Sequence, residues 1–534
     1  MVYYGDIREY IETLIKHDKL VRIKDEINKD TELMPLVRWQ FRGLEEEQRK
    51  AFLFENVKDA KGRKFDSTVL VGAHGASTEI YALGMMCKPE EIIGKWEHAQ
   101  SHPIKPVIIE HGPCQEEVHM GDTLLEHGGL MEIPIPISTP GFDAAPFLSA
   151  CNWISKDPET GIRNIGNYRA MLKSPTRLGI NCFSQQHLRQ HWEKCRELKK
   201  PLEAAIAIGV VPAIGYVSIT KIPYGIDEYD VAGGIAGKPI ELVKCKTVDI
   251  EVPATAEIVI EGVLPTDSME REGPFGEHTG YIYQQGVRPY FNVTCITHRK
   301  RPVYTCFISQ FPPSESSKIR QISDNAVLYH HLKYHLGITG LQDVCWHEES
   351  GAWQFLVISM KKSFPNQPWQ ALKAADALDP WRGKIIIVVD DDIDARDLDS
   401  VVWALCYRMQ PNKDIAIVPG KTASLDPSAA PPNAENPPGY PQGGADFPTY
   451  SLLIDATRKW DFPPTALPAK EYMERAKEIW ERLGLPKLKP KKPWYGVSLG
   501  NWSKEFEEEA RLAVQGDYFI TGEKIAIKER EQTI

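Results

Sequence analysis

Apolar positions divide the chain into three stretches of different periodicity. Residues 4–103 combine helical spacing with short apolar runs, which predicts an N-terminal unit of mixed helices and strands. Residues 105–309 are rich in β-branched runs broken by glycine and proline, which predicts a β-barrel or sandwich with a few helices. Residues 317–420 alternate helical segments with apolar strands, which predicts a parallel or mixed α/β sheet.

Individual elements follow from the same patterning. One helix is predicted for residues 184–198, because Ser184 is a favourable N-cap and Leu188, Trp192 and Cys195 recur at helical spacing. The other predicted elements are helices near residues 470–483 and 504–514 and strands at residues 68–72, 106–109, 204–208, 256–260, 290–294, 303–307, 353–358, 384–389, 415–418 and 452–455.

A segment rich in proline and glycine, residues 424–449, interrupts the C-terminal third. It is incompatible with regular structure, and long loops of this kind are linkers or functional lids. We predict that this loop and the segment Pro312–Ser317 shape a substrate entrance. The chain beyond the α/β region is predicted to form a helical tail that docks on a neighbouring subunit.

The charge balance narrows the range of partners. The net charge is −10 and the pI is near 5.9, so there is no general attraction to nucleic-acid phosphates or anionic lipids. No apolar run approaches the roughly 20 residues that span a bilayer, and the charged N-terminal helix lacks the apolar core of a signal peptide. The 10 cysteines are scattered without a C-x-x-C pair, as is typical of reduced thiols. We expect a cytoplasmic protein without nucleic-acid or membrane partners.

The segment Glu272-Gly-Pro-Phe-Gly-Glu277, followed by His-Thr-Gly-Tyr, carries the most chemical information. A Gly-Pro-Phe-Gly turn can bring its two carboxylates to one cavity. When like charges share a site, one acid tends to keep its proton near neutral pH, as a general acid must. A solvated turn with two exposed acids explains the same pattern.

Arg169, in the run Asn164-Ile-Gly-Asn-Tyr-Arg169, is a second candidate. Its planar guanidinium can grip a substrate carboxylate, or the two glutamates, with paired hydrogen bonds. A surface arginine beside a packed tyrosine is the alternative interpretation of this run.

Three separated residues offer metal ligands of different types. Asn164, His187 and Glu228 supply an amide oxygen, an imidazole and a carboxylate, a set that suits Mn²⁺ or Mg²⁺ with phosphate oxygens completing the shell. No local spacing connects the three, and a lone helical histidine is more often a surface or core residue. Phosphate-binding and zincin motifs are missing from the chain.

Taken together, the motifs resemble those of the UbiD-like decarboxylases. They follow the order of that family: Asn164-Ile-Gly-Asn-Tyr-Arg169, Gln186-His187, Ile222-Pro-x-Gly-x-x-Glu228, Glu272-Gly-Pro-Phe-Gly-Glu277, Asp391-Asp-Ile-Asp394 and Ile454-Asp-Ala-Thr457. The resemblance spans about residues 5–485. The double-glutamate element together with the upstream arginine is its most specific part.

The resemblance implies a multidomain protein of the α/β and α+β classes. We expect an N-terminal α/β region (residues 1–104), a central split β-barrel of the flavin-reductase type that holds the cofactor (105–310), a C-terminal α/β oligomerisation domain (311–485) and a helical tail (486–534). A homo-oligomer, either a dimer or a hexamer, is expected.

The resemblance also assigns roles to matching positions. It implies a catalytic Glu-Arg-Glu network formed by Arg169, Glu272 and Glu277. It implies a group that holds a divalent cation, usually Mn²⁺, against the phosphate of prenylated FMN: Asn164, His187 and Glu228. The other implied contacts with the cofactor and an adjoining K⁺ site are Ile165, Gln186, Ser218 and Thr220.

The implied reaction is reversible, non-oxidative decarboxylation of an aromatic or α,β-unsaturated carboxylic acid, or of its CoA thioester, through a covalent adduct of the prenylated flavin. Loss of CO₂ from an sp² carbon leaves a carbanion that no side chain stabilises, so a cofactor must act as the electron sink. In this scheme Glu272 donates a proton, Arg169 orients the substrate carboxylate and Glu277 holds Arg169. A flavin prenyltransferase would supply the cofactor.

Several alternatives remain open from the sequence. The enzyme can run as a carboxylase under high CO₂, the chain can be a non-catalytic subunit of a multi-subunit carboxylase, or it can be a plain FMN oxidoreductase on a similar barrel. The intact acid and arginine set disfavours the second, and hydride transfer does not require two glutamates. Tyr168 favours aromatic acids, because the cinnamate-type branch carries a small residue there, and aryl-CoA substrates such as phthaloyl-CoA remain open.

Overall fold

The N-terminal unit combines four helices with four strands in a computed structural model that describes residues 2–182, 186–421, 425–429 and 449–528. The helices are Ile7–Lys16 (α1), Leu33–Gly43 (α2), Thr78–Met85 (α3) and Ile92–Ser101 (α4). The strands are Leu20–Asn28 (β1), Ala51–Lys58 (β2), Lys64–Phe65 (β3) and Thr68–Val71 (β4).

Helix α1 shows how the apolar spacing acts locally. Its buried residues recur at i, i+3, i+4 and i+7 and are Ile7, Tyr10, Ile11 and Leu14. One stripe of the helix therefore faces the core. The Asp6 carboxylate accepts a hydrogen bond from the Glu9 amide at 3.0 Å and caps the first turn.

The central unit is built on a curled half-barrel. Its helices are Asp122–Glu126 (α5), His187–Glu197 (α6), Pro212–Ile219 (α7) and Glu228–Ala236 (α8). The strands that follow β4, up to the end of this region, are Val107–Ile108 (β5), Glu117–Met120 (β6), Phe147–Leu148 (β7), Asn152–Lys156 (β8), Arg163–Asn167 (β9), Ala170–Ser174 (β10), Arg177–Ile180 (β11), Leu202–Ile208 (β12), Glu241–Lys244 (β13), Glu251–Pro253 (β14), Ile258–Leu264 (β15), Glu270–Glu272 (β16), Phe275–Gly276 (β17), Ile282–Tyr283 (β18), Gly286–Arg288 (β19), Tyr290–His298 (β20) and Val303–Cys306 (β21).

Nine of these strands form the half-barrel sheet, in the order β7-β10-β11-β20-β15-β12-β8-β9 with β6 added beside β20. All neighbours in this sheet are antiparallel. Two small ribbons, β16 with β19 and β17 with β18, stand apart from it. The predicted β-rich middle third, a barrel or sandwich, is confirmed in the form of this half-barrel.

Helix α6 starts later than the sequence predicted. It begins at His187, with Gln186 as the N-cap residue. Ser184, the predicted cap, lies outside the described residues. The predicted inner face is confirmed, since Leu188, Trp192 and Cys195 are buried.

Strand β21 corrects one expectation about sheet membership. The sequence placed residues 303–307 among the strands of the β-rich middle third. In the structure β21 pairs in parallel with β4, Val303 opposite Thr68 and Cys306 opposite Val71. It therefore completes the N-terminal sheet, whose order is β1-β2-β4-β21 with β3 beside β2. Apolar patterning identifies a strand but not its partner, because strand propensity reports burial on a sheet of any kind.

The C-terminal unit is a mixed sheet flanked by helices. Its helices, with the tail, are Glu315–His330 (α9), Gln367–Leu378 (α10), Leu398–Arg408 (α11), Lys470–Arg482 (α12), Lys504–Val514 (α13) and Tyr518–Lys528 (α14). Its strands are Leu341–Trp346 (β22), Phe355–Met360 (β23), Ile385–Asp390 (β24), Ile415–Lys421 (β25) and Thr449–Ala456 (β26). The sheet order is β22-β23-β24-β26-β25, with parallel pairing at the centre and antiparallel pairing at both edges. The predicted mixed α/β sheet is confirmed.

The buried apolar residues form three clusters. The largest extends from Tyr3 to Ala326 and joins the N-terminal unit to the half-barrel in one core. The other two lie in the C-terminal unit, one containing Ile386 and Val388 and the other Ile387 and Val389. Alternate residues of β24 thus enter different clusters, as expected for a sheet buried on both faces.

The tail helices α12 and α13 bury no residue. Their apolar side chains, with those of α14, include the exposed residues Tyr472, Phe506, Val514, Phe519 and Ile520. Within the described residues, no helix has both the length and the apolar character needed to cross a membrane.

Candidate active site

A cavity of about 320 Å³ is lined by both the half-barrel and the C-terminal unit, a size typical of small-ligand sites. The site residues predicted from the sequence that line it are Asn164, Ile165, Arg169, Gln186, His187, Ser218, Thr220, Glu228 and Glu277. Glu272 is the predicted site residue that does not line it. The structure therefore gathers positions from five separate stretches of chain around one space.

Arg169 and Glu272 form a buried, bidentate ion pair. Arg169 follows β9, and Glu272 is the last residue of β16. The Arg169 Nε and Nη2 atoms donate to the two Glu272 carboxylate oxygens, each at 2.9 Å. The Glu272 side chain is 0% exposed, so it lies behind the arginine as seen from the cavity. Paired charge-assisted hydrogen bonds of this kind fix both side chains.

Glu277 contacts the remaining guanidinium nitrogen of Arg169. Its Oε1 atom pairs with Arg169 Nη1, and its Oε2 atom lies 3.5 Å from His278 Nδ1. One guanidinium thus faces two buried carboxylates. A single positive charge cannot neutralise both, so a proton taken up by either acid would remove the excess negative charge. The alternative of two solvent-exposed acids is wrong.

The turn between the two glutamates is held by close packing and by a half-buried acid. Gly273 adopts φ +97, and a Cβ atom there would lie 2.7 Å from the Gln284 carbonyl oxygen. Only glycine therefore fits the position without strain. The Asp143 carboxylate accepts hydrogen bonds from the amides of Gly276 at 2.9 Å and Thr139 at 2.6 Å. Burial raises the pKa of Asp143.

Two aromatic rings fix the guanidinium from its faces. The Arg169 guanidinium carbon lies 5.0 Å from the ring centroid of Phe275 and 5.0 Å from that of Tyr283. Cation–π contacts at this distance are attractive and strengthen when water is excluded. Arg169 is therefore held by carboxylates in its plane and by rings beside it.

The second predicted group also converges. His187 Nδ1 lies 3.1 Å from Asn164 Oδ1 and 3.9 Å from Glu228 Oε1. The other Glu228 oxygen accepts a hydrogen bond from the Ile165 amide at 2.8 Å. Burial raises the pKa of Glu228, which disfavours a bare carboxylate without a cation beside it.

This donor set fits a hard divalent cation. An amide oxygen, an imidazole nitrogen and a carboxylate oxygen are accepted ligands for Mn²⁺ or Mg²⁺. The Nδ2 atom of Asn164 is buried without a hydrogen-bond partner among the described residues. This amide N–H group cannot ligate a cation, but it can donate to an oxygen atom of a ligand that completes the site.

Two hydroxyl groups also line the cavity, those of Ser218 and Thr220. Ser218 Oγ donates to the Gly215 carbonyl at 2.8 Å, and Thr220 Oγ1 donates to the Tyr216 carbonyl at 2.8 Å. Each oxygen keeps lone pairs that can accept a further contact. Both residues lie at the end of α7, where the chain turns toward the cavity.

A separate set of possible metal ligands lies elsewhere on the half-barrel. Ligand atoms of His119, His127 and Glu132 lie within 4.8 Å of one another, and His119 Nδ1 is 3.0 Å from Glu132 Oε2. None of the three lines the cavity. The predicted set around Glu228 therefore remains the candidate for a cation beside a cofactor phosphate.

The C-terminal unit supplies a wall that the sequence did not predict. Its residues at the cavity include Arg320, Trp353 and Arg382. His278 packs edge-on against Trp353, with ring centroids 5.1 Å apart. Burial, and then the charges of Arg320, Arg382 and Arg169, hold the pKa of His278 well below its usual value, so its ring is neutral near pH 7. His278 was visible in the motif as the neighbour of Glu277, whereas no local signal marks the other three.

The two predicted entrance segments each contribute to the lining. Ser316 comes from the first, and its neighbour Ser309 also lines the cavity. Leu425 comes from the proline-rich loop, while residues 422–424 and 430–448 lie outside the described residues. The role of these segments in shaping an entrance stays a prediction.

Three family models match consecutive parts of the chain. They are described as the N-terminal, Rift-related and C-terminal domains of 3-octaprenyl-4-hydroxybenzoate carboxy-lyase, and they match residues 11–99, 106–312 and 319–456. An uncharacterized protein of Aquifex aeolicus is 33% identical over 521 residues, which cover 90% of this chain and 99% of that protein. One of Archaeoglobus fulgidus is 30% identical over 516 residues, covering 90% and 98%.

Solved structures share the fold over most of the chain. The UbiD-class enzyme HmfF from Pelotomaculum thermopropionicum, in complex with FMN, has a TM-score of 0.74 at 30% identity, covering 86% of this chain and 95% of that one. Vanillic acid decarboxylase from Sedimentibacter hydroxybenzoicus in its closed form has a TM-score of 0.76 at 26% identity, covering 90% and 100%. The 3,4-dihydroxybenzoic acid decarboxylase of Klebsiella pneumoniae has a TM-score of 0.75 at 26% identity, covering 89% and 100%. The three matched domains, in order and over most of the length, establish that this chain belongs to the UbiD family of carboxy-lyases.

Proposed function

We propose that this protein is a prenylated-FMN-dependent decarboxylase of aromatic carboxylic acids. The observation that carries the proposal is Arg169, held between two buried carboxylates at one cavity that also contains the Asn164, His187 and Glu228 donors. A related HmfF structure is a complex with prFMN, and two similar structures are decarboxylases of vanillic acid and of 3,4-dihydroxybenzoic acid.

The cation group would anchor the cofactor. Asn164, His187 and Glu228 would hold Mn²⁺ or Mg²⁺, and the cation would in turn bind the flavin phosphate. Ile165 and Gln186 would contact the cofactor beside it. Ser218 and Thr220 would line an adjoining K⁺ site, since both hydroxyl oxygens retain free lone pairs.

The prenylated flavin, when bound, supplies the electron sink for the carbanion that decarboxylation leaves. The chain's own residues then manage the proton. Glu272 is the proposed donor, and its full burial protects the proton from water. Because Glu272 lies behind Arg169, its carboxyl reaches the cavity only when their ion pair opens. Glu277, which stays paired with Arg169, would hold the arginine during that exchange.

Glu277 is a second candidate for the donor. It lines the cavity directly, whereas Glu272 does not. Both acids touch the same guanidinium, so one proton can pass between them without a change in the net charge of the trio. Separate substitution of the two acids distinguishes these roles.

The proposal also covers the direction of the reaction and the substrate. We propose decarboxylation as the working direction, of a free aromatic acid or of its CoA thioester. The carboxylase direction uses the same groups in reverse. A non-catalytic subunit is disfavoured, because the acid and arginine set is intact and enclosed.

We also propose that the protein assembles as a homo-oligomer. The helices α12 and α13 bury none of their residues, and a soluble monomer seldom leaves large apolar faces uncovered. One similar structure is described as an evolved dimeric form. A second copy of the chain is the proposed partner of these faces.

The test is production together with a flavin prenyltransferase, anaerobic purification and a CO₂-release assay over aromatic acids and their CoA esters. We expect a flavin absorbance other than that of FMN and CO₂ release with at least one acid. Cofactor uptake without CO₂ release or solvent hydrogen exchange for any acid would instead support the non-catalytic subunit. Nicotinamide oxidation by the FMN-loaded protein would support the oxidoreductase.

A further inference from the structure

Two imidazoles and a carboxylate converge beside strand β6, outside the cavity described above; we call them the β6 cluster. His119 lies on β6, His127 follows α5, and Glu132 ends the short helical turn that begins at Gly129. One ligand atom of each lies within 4.8 Å of the other two. The three residues do not line the cavity, and the proposed decarboxylation does not use them. A role for the β6 cluster is therefore independent of the proposed function.

The His119 imidazole is held in place by Glu132. Its Nδ1 atom lies 3.1 Å from Oε1 and 3.0 Å from Oε2 of that carboxylate, and both side chains are largely enclosed. Two ligand atoms that each lie about 2.0 Å from a tetrahedral Zn²⁺ ion are about 3.3 Å apart. A metal ion can therefore replace the proton that the two groups share, with little movement of either group.

His127 is the exposed member of the β6 cluster. Its ring is stacked on that of His119, with centroids 3.8 Å apart and an angle of 6° between the planes. Among the residues that the structure describes, none forms a hydrogen bond with a ring nitrogen of His127. The lone pair of an imidazole lies in the plane of its ring, so the stack must open before both rings can bind one ion. The exposed His127 ring can make this turn because no hydrogen bond opposes it.

The backbone between His127 and Glu132 is anchored before any ion binds. Gly129 adopts φ +56, and a Cβ atom there would overlap the carbonyl oxygen of Pro175. The same carbonyl accepts a hydrogen bond from the Leu130 amide at 2.8 Å. Ligands on a fixed backbone lose little conformational freedom when they bind, which favours affinity.

The stretch of chain around the β6 cluster adds negative charge only. Residues 106–155 contain seven aspartates and glutamates and no lysine or arginine. Two of these acids, Asp122 and Glu126, begin and end α5, between the two histidines. A cation that approaches from solvent is therefore not repelled by any charge on this stretch.

The types of donor decide which cation fits. Imidazole nitrogen suits Zn²⁺, whereas Mn²⁺ and Mg²⁺ prefer oxygen, and the affinity of a given site is usually higher for Zn²⁺ than for Mn²⁺. The Asn164, His187 and Glu228 group offers one imidazole, but the β6 cluster offers two. Two histidines and one glutamate form a known type of Zn²⁺ ligand set, in which water takes the fourth position.

We propose that the β6 cluster binds Zn²⁺ through His119, His127 and Glu132, with water as the fourth ligand. Strand β6 pairs with β20 of the half-barrel. The ion would thus tie α5 and the helical turn after it to the edge of that sheet. Its role is structural, and no step of the decarboxylation passes through it.

The test is equilibrium dialysis of the full-length, FMN-loaded protein against low-micromolar Zn²⁺ with Mn²⁺ in excess, followed by metal analysis. His127→Ala is the main variant, because its side chain is exposed and its loss should leave folding intact. We expect wild type to hold one more Zn²⁺ per chain than His127→Ala. Zn²⁺ bound at the Asn164 group or at thiols contributes equally to both proteins and cancels in this difference.

Two further variants and a stability measurement complete the experiment. Glu132→Gln keeps the size of the side chain but removes its charge, and it should weaken Zn²⁺ binding at least tenfold. His111→Ala removes another imidazole of the same stretch, one that is 85% exposed, and it should bind Zn²⁺ as wild type does. Zn²⁺ should raise the melting temperature of wild type more than that of His127→Ala, since an ion that binds the native state stabilises it.

Three results would overturn the inference. Equal Zn²⁺ content in wild type and His127→Ala would exclude the β6 cluster as a site. An equal loss in His111→Ala and His127→Ala would show that Zn²⁺ binds exposed imidazoles without preference. An equal rise in melting temperature in wild type and His127→Ala would show that the ion does not hold the segment to the sheet. Each of these results leaves the proposed function in place, because that function is tested by CO₂ release.

Discussion

Arg169 and Glu272 face each other through two parallel hydrogen bonds, Nε to Oε1 and Nη2 to Oε2, each 2.9 Å long. Both side chains are buried, so the charge of one determines the stability of the other. Protonation of Glu272 would weaken this pair and free the arginine to move. The protonation state of Glu272 and the position of the Arg169 side chain are therefore coupled.

Glu272→Gln should bind FMN as wild type does but lose about 10²- to 10⁴-fold in kcat, the usual contribution of a general acid. Glutamine keeps the shape and can still accept from Arg169, so folding should be preserved. The measurement is CO₂ release by the prenylated-FMN enzyme, with FMN affinity determined in parallel. Glu270→Gln is the control, since Glu270 sits on the same strand and pairs with Lys173 and Arg177. A wild-type rate for Glu272→Gln would exclude it as donor.

Glu277→Gln distinguishes the two acids. If Glu272 is the donor, Glu277→Gln should lose less activity than Glu272→Gln. The substitution then disturbs the placement of Arg169 but leaves proton transfer intact. Single-turnover product formation in H₂O and D₂O should then give a solvent isotope effect close to that of wild type. A larger rate loss in Glu277→Gln than in Glu272→Gln would move the donor role to Glu277.

His187→Ala should lose the divalent cation and, with it, most of the flavin affinity. Removing one of three protein ligands leaves two donors and a raised cost of burying Glu228. We expect at least a tenfold weaker Mn²⁺ affinity, measured by metal analysis after equilibrium dialysis, and weaker FMN binding measured by fluorescence. His111→Ala, which removes an imidazole that is 85% exposed, is the control. Unchanged metal content in the His187 variant would place the cation elsewhere.

The stability of the core should fall as the pH falls below about 6.5, in part through His74. This residue is buried edge-on to Phe307, with ring centroids 5.3 Å apart, and burial lowers its pKa to about 4. The unfolded chain binds the proton near pH 6.5, so between pH 6.5 and 4 it holds more protons than the native state, and the free energy of unfolding decreases. We expect protonation of His74 to lower the free energy of unfolding by about 2 kcal/mol between pH 7.5 and 5.

His74→Phe tests that contribution. Urea unfolding of wild type and variant at pH 7.5 and 5 should show a smaller pH dependence in the variant, since phenylalanine does not titrate. For each protein, the free energy of unfolding at pH 5 is subtracted from that at pH 7.5. A packing change that does not depend on pH cancels in this difference. Equal pH dependence in both would show that the proton is taken up elsewhere.

Phe506→Glu combined with Phe519→Glu should reduce the mass of the assembly. Both side chains are exposed in the isolated chain, by 52% and 73%, and charges placed within an apolar contact would destabilise it. Sedimentation velocity measures the mass. Lys64→Glu, a charge change on β3 at a side chain that is 69% exposed, is the control. An unchanged assembly would show that these helices are not part of the contact.

Much of the fold could be predicted because its elements have local causes. The buried stripe of α1 and the apolar runs of β23, β24 and β26 mark their own positions. The sheet that each strand joins has no such local mark, and β21 was therefore assigned to the wrong neighbours. Pairing depends on contacts between strands that are far apart in the chain.

The site likewise contains residues that the sequence identified and residues that it did not. Arg169, Glu272 and Glu277 were identified because their motifs are compact and specific. Arg320 and Trp353 reach the cavity only through packing of the C-terminal unit against the half-barrel, and nothing near them in the sequence signals a ligand. The two acids flank one turn and look equivalent in the sequence. Only packing in three dimensions places Glu272 behind the arginine and Glu277 at the cavity.

The placement of β21 beside β4 has a consequence for synthesis on the ribosome. The edge of β4 lacks its partner until residues 303–306 emerge, roughly 10–50 s later at usual elongation rates. During that interval the nascent chain presents an open strand edge, the kind of surface that recruits chaperones or other nascent chains. Its first hundred residues therefore reach their final form only after more than half of the polypeptide has been made.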